Sequence, residues 1–279
     1  MLNNKKLTED IKISVARSLI EDIGDGDITA QLIPSSTMSN AFVVTRDPAV
    51  LCGQAWFNEV FRQLDPHIKI EWLAEDGESL EPEQIVCRLK GSARSILTGE
   101  RAALNFLQTL SGTATTAREY AKLTSEIDVT ILDTRKTIPG LRLAQKYAVV
   151  VGGCQNHRMG LYDAFLIKEN HITACGGIKS AVLKAREISP ERSIEVEVET
   201  ILELQEALTA NVDMVMLDNF DPNMIKQAIT MNAGKIKLEV SGNIDTINIT
   251  QKAIPGIDYL SSGGLTKNCQ AIDFSMRLI

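Results

Sequence analysis

The stretch VTILDTRKTIPGLRLAQKYAVVVGGCQNHRMGLYDAFLIKENH, residues 129–171, carries a pattern that the chain then repeats. The apolar run 129–132 leads straight into Asp133, Arg135 and Lys136, and the run 164–167 leads into Lys168 and Glu169. Charges at the ends of apolar strand runs are where α/β proteins keep their chemistry. Between Asp133 and His171, six Lys or Arg stand against three acids, a net of +3 in a chain that is −7 overall. A cationic cluster inside an acidic protein describes a pocket for a small, highly charged anion, because a nucleic-acid binder is normally basic over a whole face. Arg142 and Lys146, four apart in a helical pattern, read equally well as solvated helix charges.

Downstream the pattern recurs. Apolar runs at 194–198, 213–217, 236–240 and 258–261 end in Glu197 and Glu199, Asp218 and Asn219, Glu239 and Ser241, and Ser262 and Gly263. Helical patterns at 200–210 and 221–232 fill spaces between them, which predicts a βα series with a parallel sheet. Polar residues at nearly every strand end converge only if those ends form a ring, so the expected architecture is an α/β barrel, with fewer than eight strands because six runs are visible. In IEVEVE, Glu195 and Glu199 read as solvated acids of an alternating strand and Glu197 as a residue facing the site. No G-x-G-x-x-G or G-x-x-x-x-G-K-[ST] follows a strand, which speaks against a Rossmann or P-loop site.

Upstream the organisation differs. Ile11, Val15, Leu19 and Ile23 stand four apart and predict a helix over 8–23 with Thr8 as its N-cap. Strand-like runs at 41–45, 68–73 and 84–89, with a helix at 54–64, predict a small α+β domain. A helical pattern from Thr98 to Ser125, softened by Gly112 and a run of threonines, bridges to the barrel. The expected domains are 1–112, an α/β sandwich, and 113–279, the barrel, with a C-terminal helix returning to the first domain. The chain has 279 residues, 44% of them hydrophobic, and no apolar run approaches the roughly 18 residues of a membrane span. Its start, MLNNKKLTEDIK, lacks the apolar core of a signal peptide, so the expected location is the cytoplasm. Five scattered cysteines without a C-x-x-C pair and three histidines without H-x-H or H-x-x-x-H spacing indicate neither disulfides nor a zinc site.

The strand ends have two electrical halves. Arg135, Lys136, His157, Arg158 and Lys168 suit carboxylates and phosphates, and an arginine fork grips a carboxylate at two points. Glu197, Glu199, Asp218 and Glu239 are acceptors that would repel such a ligand unless a divalent metal or a developing positive charge lies between, and their hard oxygens suit Mg²⁺. Ser241-Gly242-Asn243 and Ser262-Gly263-Gly264 close the last two strands, each expected to lead into a helix, and small residues there present backbone N–H groups to a phosphate. Together these features describe a site for a phosphorylated sugar and a carboxylated partner.

The segments DTRKTIPGLRLAQKYAV, GGCQNHRMGLYDAFLIKENHI, EVEVE, MLDNF, LEVSGNI, LTGERAALNFLQTLSG and EDIGDGDIT resemble the quinolinate phosphoribosyltransferases over nearly the whole chain. The resemblance implies a type II phosphoribosyltransferase fold, an N-terminal α/β sandwich followed by an incomplete α/β barrel, in a homodimer, and leaves open whether dimers assemble further into a hexamer. It implies that quinolinate and phosphoribosyl pyrophosphate are the substrates, with no nucleic acid or membrane as partner. By the same resemblance Arg135, His157, Arg158 and Lys168 take the two carboxylates of quinolinate, helped by Thr134 and by Arg101 of the other subunit. Lys136 and Lys168, with Glu197 and Asp218 through Mg²⁺, take phosphoribosyl pyrophosphate, while Ser241, Gly242, Asn243, Ser262, Gly263, Gly264 and Lys267 belong to its phosphate cradle. Lys136, Lys168, Glu197 and Asp218 are the expected catalytic residues. Cys154 stands where the family usually has a third glycine, and Ser262-Gly263-Gly264 replaces its usual valine, glycine, alanine. Two alternatives are a phosphoribosyltransferase for a monocarboxylate, or the molybdenum-associated homologues, and a barrel that only binds a phosphosugar. Donors enough for two carboxylate clamps speak against the first, and Glu197 and Asp218 against the second.

Overall fold

A computed structural model describes residues 4–279. In chain order the elements are α1 (Asn4–Ile23), β1 (Met38–Thr45), β2 (Ala49–Val50), α2 (Gln54–Leu64), β3 (Lys69–Trp72), β4 (Ser79–Leu80), β5 (Ile85–Ser92) and α3 (Ala93–Leu123). Next come β6 (Thr130–Leu132), α4 (Arg142–Gly152), β7 (Phe165–Ile167), α5 (Glu169–Cys175), α6 (Ile178–Ile188), β8 (Ile194–Val198) and α7 (Ile201–Thr209). The last are β9 (Met214–Asp218), α8 (Pro222–Asn232), β10 (Lys237–Ser241), α9 (Ile249–Lys252), β11 (Tyr259–Ser261), α10 (Gly264–Lys267) and β12 (Phe274–Leu278). Among the described residues no helix is long and apolar enough to cross a membrane.

The first compact unit comprises, of the described residues, 4–118, 138–153 and 268–279. Its antiparallel sheet has the order β12-β1-β5-β3 and packs with α2 and α3 around Trp56, Phe57, Phe61, Leu107 and Leu110, all fully buried. Ring pairs Phe57–Phe61 and Phe57–Trp72, both with centroids 5.2 Å apart, fill the space between α2 and the sheet. Two expectations are corrected here. Thr8 lies inside α1, where its hydroxyl donates back to Asn4 O, so it is not the N-cap. The C-terminus is no helix: β12 pairs antiparallel with β1, burying Phe274 and Met276 and leaving Arg277 out. The boundary expected at 112 lies within α3, which runs on through it, with the hydroxyls of Thr113, Thr115 and Thr116 donating to carbonyls one turn back. Gly112 is a packing necessity, since a Cβ there would stand 2.0 Å from the carbonyl oxygen of Gln270.

The second unit comprises residues 119–137 and 154–267 and holds six parallel strands in the order β6-β11-β10-β9-β8-β7. The last strand, β11, pairs with the first, β6, which closes the sheet toward a barrel instead of laying it open. Closure is incomplete between β6 and β7, where only Gln155 continues the ladder by bridging to Leu132. All six expected runs are strands. In β8 the valines and Ile194 are buried on one face, while Glu195 and Glu197 share the other. Glu195 is 3% exposed, so the expectation of a solvated acid is corrected; only Glu199 lies in solvent. Lys146 is likewise fully buried in α4 and is no surface charge.

Candidate active site

At the carboxyl end of β6, buried Asp133 organises the loop across the barrel gap. Its Oδ1 accepts from the backbone N–H of His157 at 2.9 Å and its Oδ2 from Asn156 Nδ2 at 2.7 Å. That fixes His157 and Arg158 beside Thr134–Lys136, where Lys136 N–H donates to Thr134 Oγ1 and Thr266 Oγ1 donates to Lys136 O. Asp163 holds the following turn by accepting from the backbone N–H groups of Met159 and Gly160. The result is a cavity of about 430 Å³ at the carboxyl ends of the strands. It brings together ten expected residues: Thr134, Arg135, Lys136, His157, Arg158, Lys168, Glu197, Asp218, Glu239 and Ser241.

Its electrostatics fit an anion. Burial lowers the pKa of Arg158 and Arg135 beside it lowers it further, against the pull of Glu195, Asp163 and Glu197, so two guanidinium groups stand side by side at the cavity. Opposite them Lys168 Nζ is ion-paired with Glu197 Oε2, the lysine half-exposed and the carboxylate nearly buried. Asp218 Oδ2 accepts from Asn219 Nδ2 at 2.7 Å. Asn219 adopts a left-handed φ of 57°, which places its Oδ1 where a Cβ on Gly242, itself at φ 102°, would come within 2.2 Å. Glycine at 242 is therefore required by the acid-bearing loop next door.

The remaining expected residues do not line the cavity. Gly263 packs under Lys136, its Cβ position 3.0 Å from Lys136 Cδ, so it makes room for that lysine. Ser262 is buried and donates its hydroxyl to Ile244 O, tying the two late loops together, and Gly264 N–H donates to Ser262 Oγ. The helix expected after Asn243 is displaced: α9 begins at Ile249, and Asn243 is an exposed left-handed turn residue whose carbonyl accepts from Asn248 Nδ2. Lys267 is exposed in the short α10, and its N–H donates to Gly263 O. Arg101 is exposed on α3 and belongs to the first unit. Reading the sequence for site residues overlooked Leu166, Met216 and Ser261 in the lining. Period-two alternation inward from Lys168, Asp218 and Gly263 was the signal that pointed to them.

His157 is turned toward the barrel interior. Its Nε2 lies 2.8 Å from Glu195 Oε2 and 3.4 Å from Glu239 Oε2. Burial opposes a charged ring, but the hydrogen bond to Glu195 and the charges of both carboxylates outweigh it and raise the imidazole pKa.

Guanidinium and ammonium groups facing acids at the strand ends of a parallel barrel make an enzyme site for an anionic substrate. Residues 27–111 match the family "Quinolinate phosphoribosyl transferase, N-terminal domain" and residues 113–277 the corresponding C-terminal domain, so the chain belongs to the quinolinate phosphoribosyltransferase family. The chain is 40% identical over 258 residues to the probable nicotinate-nucleotide pyrophosphorylase [carboxylating] of Bacillus subtilis, covering 92% of this chain and 89% of that one. It is 35% identical over 292 residues to quinolinate phosphoribosyltransferase [decarboxylating] 1b of Nicotiana tabacum, covering 97% and 83%. The solved nicotinate-nucleotide pyrophosphorylase of Francisella tularensis superposes with a TM-score of 0.95 at 49% identity, covering 98% and 97% of the two chains.

Proposed function

We propose that this protein transfers the phosphoribosyl group of phosphoribosyl pyrophosphate to quinolinate and releases CO₂, giving nicotinate mononucleotide and pyrophosphate. The observation that carries the reading is the pair of neighbouring guanidinium groups, Arg135 and Arg158, set across one cavity from Glu197 and Asp218. Two forks match a dicarboxylate better than a monocarboxylate. The facing acids match the positive charge that develops on the ribose.

In the reaction the pyridine nitrogen forms a bond to C1 of the ribose while the bond from C1 to pyrophosphate oxygen breaks, with oxocarbenium character as in glycoside transfer. Arg135 and Arg158 hold the ring in line. The substrate's anions compete with Glu197 for Lys168, and a lysine drawn to them leaves the Glu197 carboxylate free to face the ribose cation. Lys136, exposed at the cavity rim, neutralises charge on the leaving pyrophosphate. Once the nitrogen is quaternary, the bond from C2 to the carboxylate breaks, its electron pair is stabilised by the ring cation, and a proton from solvent replaces CO₂. No protein nucleophile takes part. Glu197 and Asp218 fit Mg²⁺ by their chemistry, two hard carboxylates on adjacent strands, and the ion when bound supplies charge neutralisation for the pyrophosphate.

The protein acts as a homodimer in the cytoplasm, with Arg101 serving the neighbouring subunit's quinolinate site. The test is direct. Purified protein is mixed with quinolinate, phosphoribosyl pyrophosphate and Mg²⁺, and nicotinate mononucleotide and CO₂ are measured; turnover of nicotinate in place of quinolinate would overturn the reading.

A further inference from the structure

The reaction uses Glu197 and Asp218 and leaves two other strand acids over, Glu195 in β8 and Glu239 in β10, which flank β9 on its two sides. Both are buried, at 3% and 0% exposure. Among the described residues Glu195 Oε1 and both oxygens of Glu239 accept no hydrogen bond. Burying a carboxylate is costly unless a partner offsets it, so two of them beside one ring do more than fill the barrel.

The ring is that of His157, and protein groups face both of its nitrogens. Nε2 meets Glu195 and, farther off, Glu239. Nδ1 accepts from the backbone N–H of Arg158 at 2.7 Å, which keeps a proton on Nε2 toward the carboxylates even though their charges favour a second one on the ring. By residue type the three side chains resemble a metal site. The 2.8 Å between Nε2 and Glu195 is a direct hydrogen bond, whereas two ligands of a tetrahedral zinc with bonds of roughly 2.0–2.1 Å stand about 3.3 Å apart. The occupant that fits is a proton. The guanidinium of Arg158 is steadied at the far end by Nη1 donating to Ala164 O at 3.3 Å. His157 and Arg158 line both the active-site cavity, which Glu239 also lines, and a second one of about 390 Å³ at the amino ends of the strands, which Glu195 lines.

We propose that Glu195 and Glu239 are positioning residues for quinolinate: they draw the Nε2 proton of His157 into the barrel, fix its ring and, through Nδ1, the backbone of Arg158, so that Arg158 and not His157 grips the substrate. The proposal rests on the function proposed above. It departs from the expectation that His157 itself binds a carboxylate.

The test uses the full-length enzyme with Glu195→Gln, Glu239→Gln and both together, glutamine keeping the volume while removing the charge. Thermal unfolding checks that each variant is folded. In the double variant the KM for quinolinate is expected to rise at least tenfold while that for phosphoribosyl pyrophosphate stays within twofold, a split that general loosening of the barrel would not give. Nitrogen chemical shifts of ¹⁵N-histidine-labelled protein, read at one fixed pH, are expected to show His157 protonated at Nε2 in the wild type, unmoved by quinolinate, and a mixture of tautomers in the double variant. An unchanged quinolinate KM in a folded double variant overturns the proposal, as does a wild-type Nε2 that is unprotonated or shifts strongly on adding quinolinate. Should the wild type form no nicotinate mononucleotide, the functional reading fails first, and the nitrogen shifts of the free enzyme still decide how the ring is held.

Discussion

Arg158 keeps its charge although burial and the nearby Arg135 both oppose it, so its site gains most when an anion arrives. Truncation in Arg158→Met removes a charged clamp worth about 2 kcal/mol or more, and the binding of quinolinate should weaken by roughly thirtyfold. Calorimetry with quinolinate and nicotinate separates the roles: loss for the dicarboxylate alone is expected, and equal losses would mean that Arg158 does not read the second carboxylate. Lys168 is half-exposed at the cavity and ion-paired with Glu197, so Lys168→Ala should abolish turnover with the melting temperature little changed. Activity near wild type in that variant would remove Lys168 from the site. At this scale the sequence was readable where a charge follows an apolar run, as at Arg135, Lys168 and Asp218. It was misleading at Glu195, because alternation of valine and glutamate looks the same whether the second face meets water or the interior of a barrel.

Among the elements, α3 shows how far local propensity can be overruled. Gly112 and four nearby threonines weaken an isolated helix, and Gly112→Ala would by propensity alone stabilise it by about 1 kcal/mol. The new Cβ, however, would meet the Gln270 carbonyl at 2.0 Å, a backbone atom that moves only if the segment leading to β12 moves. Overpacking of this kind typically costs about 1–3 kcal/mol, so the expected net effect is a loss of stability, read as a lower urea midpoint at unchanged slope. A variant more stable than the parent would show that the 268–279 segment is not packed on α3 in this way. The barrel strands were legible because parallel strands buried on both faces appear as continuous apolar runs bounded by charges. The C-terminal strand was not, since FSMRL is only five residues long and its partner β1 lies more than two hundred residues earlier in the chain. Strands β2 and β4, two residues each, leave no periodicity to read.

For the whole molecule the decisive residue is Arg101. It sits exposed on α3 in the first unit, while every residue lining the active-site cavity belongs to the second. Its neighbour Glu100 gains little from it, since burial raises that carboxyl's pKa despite the attraction of Arg101. If Arg101 completes the site of a neighbouring subunit, a monomer is inactive by construction, and complementation between two dead variants becomes a quantitative test. Arg101→Ala leaves a subunit that has its own Lys136 but nothing to lend, and Lys136→Ala leaves one that can lend Arg101 but has no working site. Random reassortment of equal amounts makes about half of the dimers mixed. In each mixed dimer one site combines an intact Lys136 with an intact Arg101 from across the interface, and the other lacks both. Activity should therefore return to roughly a quarter of wild type after the two proteins are dissociated and reassembled together, with subunit exchange verified by mass spectrometry. A mixture that exchanges fully and stays inactive would place Arg101 within its own subunit's function, or outside the reaction altogether.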